Sequence, residues 1–403
     1  MGQFARLLPE FGWDVTVLTA KHQGVDGGAV AALAGRATII ETWSPSTAIK
    51  RGASVPKRGF RSFARRMART AAMSVVFPDR EIFWAPGAIA AGKRALAATP
   101  HDAIFATYGP ASDLVVGHAL ARSARLPLVV DFRDLWSTLP MPIFTTPLHR
   151  AAARRLERAI VRGASRLVAV APRMAEDLVT SHGIPSERAV VITNGFDPED
   201  AERARDARGN GPFRLMYTGS VHAHYDLDPF WRALKALSSS GRITPETFRV
   251  EFVGNLAVSD LRTLGVEAFV DAKPFVAHDA VFDALARADA LLLIETPGYY
   301  ATYSYAAKVF DYLLTGKPVL SLVEPGGNTS RLLANAGVGH DADPRDESAI
   351  RIALERVLLL KGAPPLRVDC NVPPYDAYNR RNLARQLAAT FDEVAVASDE
   401  RAR

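Results

Sequence analysis

The sequence predicts an α/β protein made of two doubly wound parallel-sheet domains. Short runs of valine, leucine and isoleucine alternate with helix-length amphipathic segments in both halves of the chain, as strands covered on both faces do. Residues 198–212, with acids, arginines and a Gly-Asn-Gly-Pro sequence, interrupt that alternation and read as a linker. At 403 residues the chain exceeds what one domain usually holds. The expected division is a first domain at 1–205, a second at 206–372, and a closing segment at 373–403, with a cleft between the two lobes.

The totals narrow the class. A hydrophobic content of 48% supplies two large cores. A single cysteine, Cys370, excludes an internal disulfide and fits a reducing compartment. No apolar run approaches the ~20 residues that span a bilayer. Residues 1–15 carry charges and no continuous apolar core, so they are no secretory signal, and Arg6 stands where a myristoylation motif wants Ser or Thr. The net charge of +6 favours an anionic partner, and nucleotide, lipid head group and nucleic acid all qualify.

The elements follow in order. Residues 2–11 read as a helix and 14–19 as a buried strand. A helix feeding a parallel strand normally follows another strand. A first strand with its phosphate-type loop is therefore expected ahead of residue 2, as if the start lay inside a longer reading frame. Residues 50–69 hold eight lysines and arginines and no acid, with Phe60, Phe63, Ala64, Met67 and Ala71 at helical spacing. A basic amphipathic helix of this kind suits an anionic membrane surface through 50–71; a solvated helix covering one end of the domain is the alternative. No recognised nucleic-acid motif accompanies it.

Strands are expected at 102–107 and 126–131, the latter running into Asp131, Arg133, Asp134 and Trp136. Those three charged groups either form a self-satisfied ion cluster or face a ligand; they lack the further ligands of a metal site. An arginine-rich helix spans 149–166. Strands follow at 166–170 and 189–197, the second ending in an Asn-Gly turn. In the second half, strands are expected at 213–220, 249–254, 269–272, 290–294 and 319–323. His222 and His224 form a His-x-His pair that either binds a metal or is ordinary polar loop. Residues 369–375 form a proline-marked crossing, and 378–396 a closing helix.

The stretch 299–327 concentrates the chemistry. Lys308, Asp311, Tyr312 and Thr315 fall at i, i+3, i+4 and i+7 on one helical face, with Phe310, Leu313 and Leu314 toward the core. Gly316 stands at the expected helix end and Pro318 prevents continuation. Residues 324–330 then open the next helix with small residues and bare backbone N–H groups. A polar helical face beside a glycine-rich helix start, at the carboxyl end of a parallel strand, is where α/β proteins bind ligands. A cation beside a carboxylate suits a phosphorylated, hydroxyl-bearing ligand; an ordinary exposed i,i+3 ion pair is the alternative. No GxGxxG after a strand, no GxxxxGK[ST] and no GxSxG is present, which argues against a dinucleotide dehydrogenase, a P-loop nucleotidase and an α/β-hydrolase.

Five segments carry a family resemblance: VVDFRDLW at 129–136, ITNGFD at 192–197, YTGS at 217–220, KVFDYLLTGKPVL at 308–320 and PGGNTSRLL at 325–333. In this order and spacing the chain resembles family 4 glycosyltransferases of the GT-B fold, and more closely their bacterial surface-polysaccharide subset. The resemblance implies an N-terminal lobe for the acceptor, a C-terminal lobe for a nucleotide-sugar donor, and a last helix packing back on the first lobe. It also implies a retaining enzyme that needs no metal and no cofactor, on the cytoplasmic side, with its donor a substrate. Many relatives carry two glutamates eight positions apart; here Asp311 stands for the second and Tyr303 for the first. Arg133 stands where relatives have a histidine.

On these grounds Lys308, Arg133 and Asp131 are the candidate catalytic residues. Gly219, Ser220, Tyr303, Asp311, Gly326, Gly327, Asn328 and Thr329 are the candidate donor-binding residues. Lys308, the amides of 326–329 and the Gly219–Ser220 turn would oppose charge developing on the leaving diphosphate. Two rivals remain: a sugar-nucleotide epimerase, and a non-catalytic partner in a polysaccharide assembly complex.

Overall fold

The computed structural model describes residues 2–21, 31, 33–45, 76–139, 146–221, 225–256 and 265–402. The basic stretch 50–71, His222 and His224 lie outside the described residues.

The chain divides into two compact units, Met1–Ile192 with Ala384–Arg403, and Thr193–Leu383. The division falls ahead of the expected 205/206 linker and beyond the expected 372/373 boundary. The reason is a backbone stitch. Phe196 N–H donates to Tyr378 O and Arg380 N–H donates to Phe196 O, both at 3.0 Å. Arg380 Nη1 pairs with Asp197 Oδ2 at 2.6 Å. A Cβ at Gly195 would lie 2.2 Å from Tyr378 O, so only glycine admits this approach. Residues 195–197 and 378–380 are thereby locked into the second unit. The Asn-Gly sequence read as a turn serves this close approach, and the strand before it is short (Ala189–Val191).

The first unit opens with helix α1 (Gly2–Leu7) and a 3₁₀ turn at Leu8–Phe11, stopped by Gly12 at φ +84°. Strand β1 (Thr16–Ala20) pairs in parallel with β2 (Thr38–Thr42). After helix α2 (Ala85–Ala98) come β3 (Ile104–Thr107), α3 (Ala111–Ala124), β4 (Leu128–Phe132), α4 (Pro147–Gly163), β5 (Arg166–Ala169), α5 (Pro172–His182) and β6 (Ala189–Val191). Strands β3 to β6 form one parallel sheet in chain order. No strand precedes α1 among the described residues. The β1–β2 pair stays apart from the β3–β6 sheet. Leu18, Phe105, Leu120 and Phe391 help line a cavity of about 400 Å³ bordered by both β1 and β3.

Helix α4 shows how the sequence sorts its faces. Ala153, Glu157, Ile160 and Val161 are buried, while Arg150, Arg154, Arg155, Arg158 and Arg162 are exposed. Buried Glu157 is satisfied twice: Oε1 meets His182 Nε2 at 2.6 Å, and Oε2 accepts from Ser137 N–H at 2.6 Å. The last 20 residues finish the unit. Phe391 packs edge-on against Trp13 and Phe105, with centroids at 5.2 and 5.5 Å. Trp13 Nε1 donates to Asp392 at 3.0 Å. Each aromatic pair of this geometry stabilises by roughly 0.5–1.5 kcal/mol beyond its buried area.

The second unit contains β7 (Phe213–Thr218), α6 (Asp228–Ser239), β8 (Phe248–Val253), β9 (Val270–Lys273), α7 (His278–Arg287), β10 (Ala290–Ile294), α8 (Tyr299–Tyr303), α9 (Lys308–Thr315), β11 (Val319–Leu322), α10 (Asn328–Asn335), β12 (Gly339–Ala342), α11 (Glu347–Leu358) and α12 (Arg380–Ala402), whose greater part joins the first unit. Its sheet runs β12-β11-β10-β7-β8-β9, with every pairing parallel. Side chains alternate across it. Phe213, Leu215 and Tyr217 enter the core shared with α6 and α11, while Met216 enters the opposite core with α7, α9 and α10. Leu292 and Ile294 divide from Leu291 and Leu293 in the same way. The chain reverses direction across the sheet between β7 and β10. This switch point is where open parallel sheets leave a crevice at their carboxyl ends.

Candidate functional site

The switch point gathers most of the sequence-predicted residues of the second unit. Strand β7 ends in Gly219, whose φ of +102° turns the chain and whose N–H donates to Val253 O at 2.8 Å. The adjoining Gly254 at the end of β8 touches it, and a Cβ there would meet Gly219 O at 2.2 Å. Ser220 enters through its backbone, because its carbonyl accepts from Tyr217 Oη at 2.8 Å. Onto this turn lies Lys308, the first residue of α9. Its Nζ sits 4.8 Å from the centroid of the Tyr217 ring. A Cβ at Gly219 would come within 2.7 Å of its Cε. Burial pushes the Lys308 ammonium below its ordinary pKa, and Asp311 one turn along the helix opposes that shift.

The start of α10 is bound to the segment that leads into α9. Asn328 Nδ2 donates to Thr302 O at 2.8 Å and Ser304 O at 3.2 Å. Thr329 Oγ1 accepts from Ala306 N–H at 3.1 Å. These bonds tie the N-terminus of α10 to the segment 302–306 that leads into α9. Two of the amides expected to be bare are engaged: Gly326 N–H donates to Ser330 Oγ at 3.2 Å and Gly327 N–H to Glu324 O at 3.0 Å. The amides of Asn328, Thr329 and Ser330 meet no acceptor among the described residues. The side chains of Asn328 and Thr329 are buried and committed to protein. What this helix start offers a ligand is therefore backbone.

The helical face expected at 308–315 is narrower than its spacing suggests. Lys308 and Asp311 are partly exposed, but Tyr312 and Thr315 are buried. Tyr312 Oη accepts from Thr218 N–H at 3.1 Å and reaches Leu292 O at 3.3 Å, so it ties β7 to β10. Thr315 Oγ1 donates to Tyr312 O at 2.8 Å. An eight-residue helix wedged into a core leaves only its first turn for chemistry. Tyr303 ends α8 and stacks on Tyr299, with centroids 5.0 Å apart.

One residue of this site escaped the sequence reading. Glu295 follows the last residue of β10 and is 5% exposed. Its Oε1 accepts from Thr329 Oγ1 at 3.0 Å, and its Oε2 meets no hydrogen-bond partner among the described residues. Burial is the main reason its carboxyl is pushed up to about 7; nearby Glu324 adds to the shift, against the Thr329 hydroxyl and the Ala306 amide. An acid ending a five-residue apolar run at a parallel strand's carboxyl end was the available signal.

In the first unit Asp131 and Arg133 pair with each other, while Asp134, the third charged group of that stretch, is exposed. Asp131 lies within β4 and is 0% exposed. Its carboxylate accepts from Thr107 Oγ1 and from Arg133 Nε, each at 2.8 Å, and Arg133 Nη2 lies 2.8 Å from Oδ1. Arg133 also donates to Ile192 O at 3.1 Å and lies 5.5 Å from the Phe4 ring centroid. With its side chain 18% exposed, Arg133 carries what solvent-accessible surface the pair has. Asp131, fully buried and bonded to Thr107 and Arg133, keeps no surface of its own for a ligand. Among the described residues no group of three His, Cys, Asp or Glu side chains could hold a metal ion.

Comparison with known proteins agrees with this architecture. Residues 1–195 match the family model described as "Glycosyl transferase 4-like domain". Among solved structures, a glycosyltransferase from Rickettsia africae ESF-5 superposes with a TM-score of 0.59 at 11% identity, covering 98% of this chain and 89% of that one. A sucrose-phosphate synthase from Thermosynechococcus elongatus gives 0.57 at 13% identity, covering 99% and 90%. The fold class is accordingly GT-B, with two Rossmann-like parallel-sheet units. The curated relative D-inositol 3-phosphate glycosyltransferase 1 of Catenulispora acidiphila is 27% identical over 250 residues, 56% of this chain. The match takes in 58% of that relative's length.

Proposed function

We propose that this chain is a glycosyltransferase that moves a sugar from a nucleotide-sugar donor, held by the second unit, to a glycan or lipid-linked acceptor. The observation that carries this reading is the placement of Lys308. A half-buried ammonium lies on the Gly219 turn and the Tyr217 ring at the sheet's switch point. The free amides of 328–330 open the adjacent helix. Fixed positive charge and aligned N–H dipoles in a water-poor site oppose the charge that develops on a leaving diphosphate. Asp311 accepts from a ribose or sugar hydroxyl. Arg133, oriented by Asp131, positions the acceptor or the sugar. The likeness of 1–195 to glycosyl transferase 4-like domains and the GT-B fold support the same class.

Finer features belong to this proposal too: a family 4 enzyme of surface-polysaccharide synthesis, retention of anomeric configuration, and catalysis without metal or cofactor. So does a place at the cytoplasmic face of a membrane. No described helix is long and apolar enough to cross one. The arginine face of α4 and the net charge of +6 favour an anionic surface as partner, and 50–71 is the segment proposed to meet it.

A thermal-shift screen with UDP-, GDP-, ADP- and dTDP-sugars tests the reading. One of them raises the melting temperature of the wild-type protein, and Lys308→Ala removes most of that shift. Failure of all four to shift the wild type overturns it.

A further inference from the structure

We propose that Glu295 is a protonated carboxylic acid whose free Oε2 donates a hydrogen bond to an acceptor oxygen of the bound ligand. This makes ligand uptake by the second unit depend on that proton. The inference rests on the nucleotide-sugar reading of the site and adds a residue and a pH response to it.

The proton's position follows from the hydrogen-bond chain. Thr329 Oγ1 accepts from the Ala306 amide at 3.1 Å and donates its one hydrogen to Glu295 Oε1 at 3.0 Å. Oε1 is therefore an acceptor, and the acid's own hydrogen resides on Oε2. That oxygen is buried and meets no hydrogen-bond partner among the described residues. A buried donor without an acceptor is uncommon in folded proteins. Here it stands just past the end of β10, beside the reversal in strand order, and its partner Thr329 lies in the first turn of α10. The ligand class that supplies what is lacking is one rich in acceptor oxygens, a diphosphate ester or the sugar attached to it.

The charges around Glu295 favour its neutral form. Burial is the main cause, and Glu324, after β11, repels a second carboxylate. Tyr225, ahead of α6, feels Glu295 and also Tyr300 of α8. A carboxylic acid kept neutral in an apolar site to donate a hydrogen bond is an established device of catalytic pockets. Once ionised, the same group presents a bare carboxylate to an anionic ligand and repels it.

The test uses the sugar nucleotide that shifts the wild type most, titrated calorimetrically from pH 5.5 to 8.5. Its diphosphate ester stays ionised throughout, so the ligand contributes no step of its own. Wild-type affinity falls as pH rises through about 7, approaching roughly tenfold per pH unit beyond it. Glu295→Gln keeps an acceptor for Thr329 and gains an N–H donor that does not titrate, so its affinity is flat across the range. Glu295→Ala binds more weakly than wild type at pH 5.5, where the acid would donate, and loses no further affinity as pH rises through about 7. A pH step that persists in Glu295→Gln assigns it to another group and overturns the proposal. A second arm needs no ligand: carbon-detected NMR of the free protein, with Glu295→Gln giving the assignment, finds this carboxyl titrating near 7. Titration near 4 overturns the proposal even when a sugar nucleotide binds, whereas absence of any binding overturns the glycosyltransferase reading instead.

Discussion

Lys308 lies so close over Gly219 that a methyl group there would meet its Cε at 2.7 Å and its Nζ at 3.3 Å. The glycine thus serves two ends at once. It takes a φ of +102°, and it leaves the space through which the lysine reaches the switch point. Gly219→Ala is expected to strain the turn by roughly 1–3 kcal/mol and to displace the ammonium. Donor affinity falls in this variant, as calorimetry would measure. In the Lys308→Ala background the same substitution costs stability but little further affinity. Additive losses in affinity would show that the two residues act separately.

Lys308→Ala is expected to lower turnover by on the order of 10²–10³, the scale for losing one preorganised donor to developing charge. Its effect on folding is expected to be small, because burial already disfavours the Lys308 ammonium in the folded state. Turnover and melting temperature measured on the same preparation separate the two roles. Wild-type turnover in the variant would remove Lys308 from the site.

Tyr312→Phe deletes the hydroxyl between Thr218 N–H and Leu292 O. The Thr218 amide belongs to a central strand and is left without its acceptor, a loss of roughly 1–3 kcal/mol. Urea denaturation is expected to show a lower midpoint with an unchanged slope. An unchanged midpoint would mean that the amide finds another partner.

The elements that were legible in the sequence are those whose residues all obey one rule. β10 is apolar throughout and lies at Ala290–Ile294, where it was expected. β11 and β7 differ from expectation only at their ends. β2 was missed because its five residues are partly exposed and include an acid, so neither alternation nor continuous apolarity marks it. β12, Gly-His-Asp-Ala, has no strand propensity and is placed by its ladder with β11. In the site, Lys308, Gly219 and the 326–329 turn could be read from local chemistry. Tyr312 could not, since spacing fixes a residue's direction from its helix and not what lies there. Glu295 needed three dimensions, because its partner Thr329 is 34 residues away.

Asp113 contributes a pH dependence of definite sign to the first unit. It stands in the first turn of α3, and its carboxyl is pushed up to about 7, chiefly by burial and then by Asp79 and Glu81. Asp79 is held in place, its carboxylate accepting from Ser112 N–H at 2.9 Å and Ser112 Oγ at 2.6 Å. Below about pH 4 an aspartate is protonated in both the folded and unfolded chains, and this group exacts no penalty. Between about 4 and 7 the unfolded chain ionises while the folded one keeps its proton, so stability falls as pH rises. Above about 7 both are ionised and the penalty is constant, at most about 4 kcal/mol for a shift of this size. Asp113→Asn is therefore expected to be more stable than wild type at pH 8, with the difference vanishing toward pH 4. Glu295 titrates in the same window, so the informative quantity is the wild-type minus variant difference, in which its contribution cancels. Chemical denaturation at four or five pH values measures it, and a difference that stays flat from pH 4 to 7 would show that Asp113 ionises normally in the folded protein.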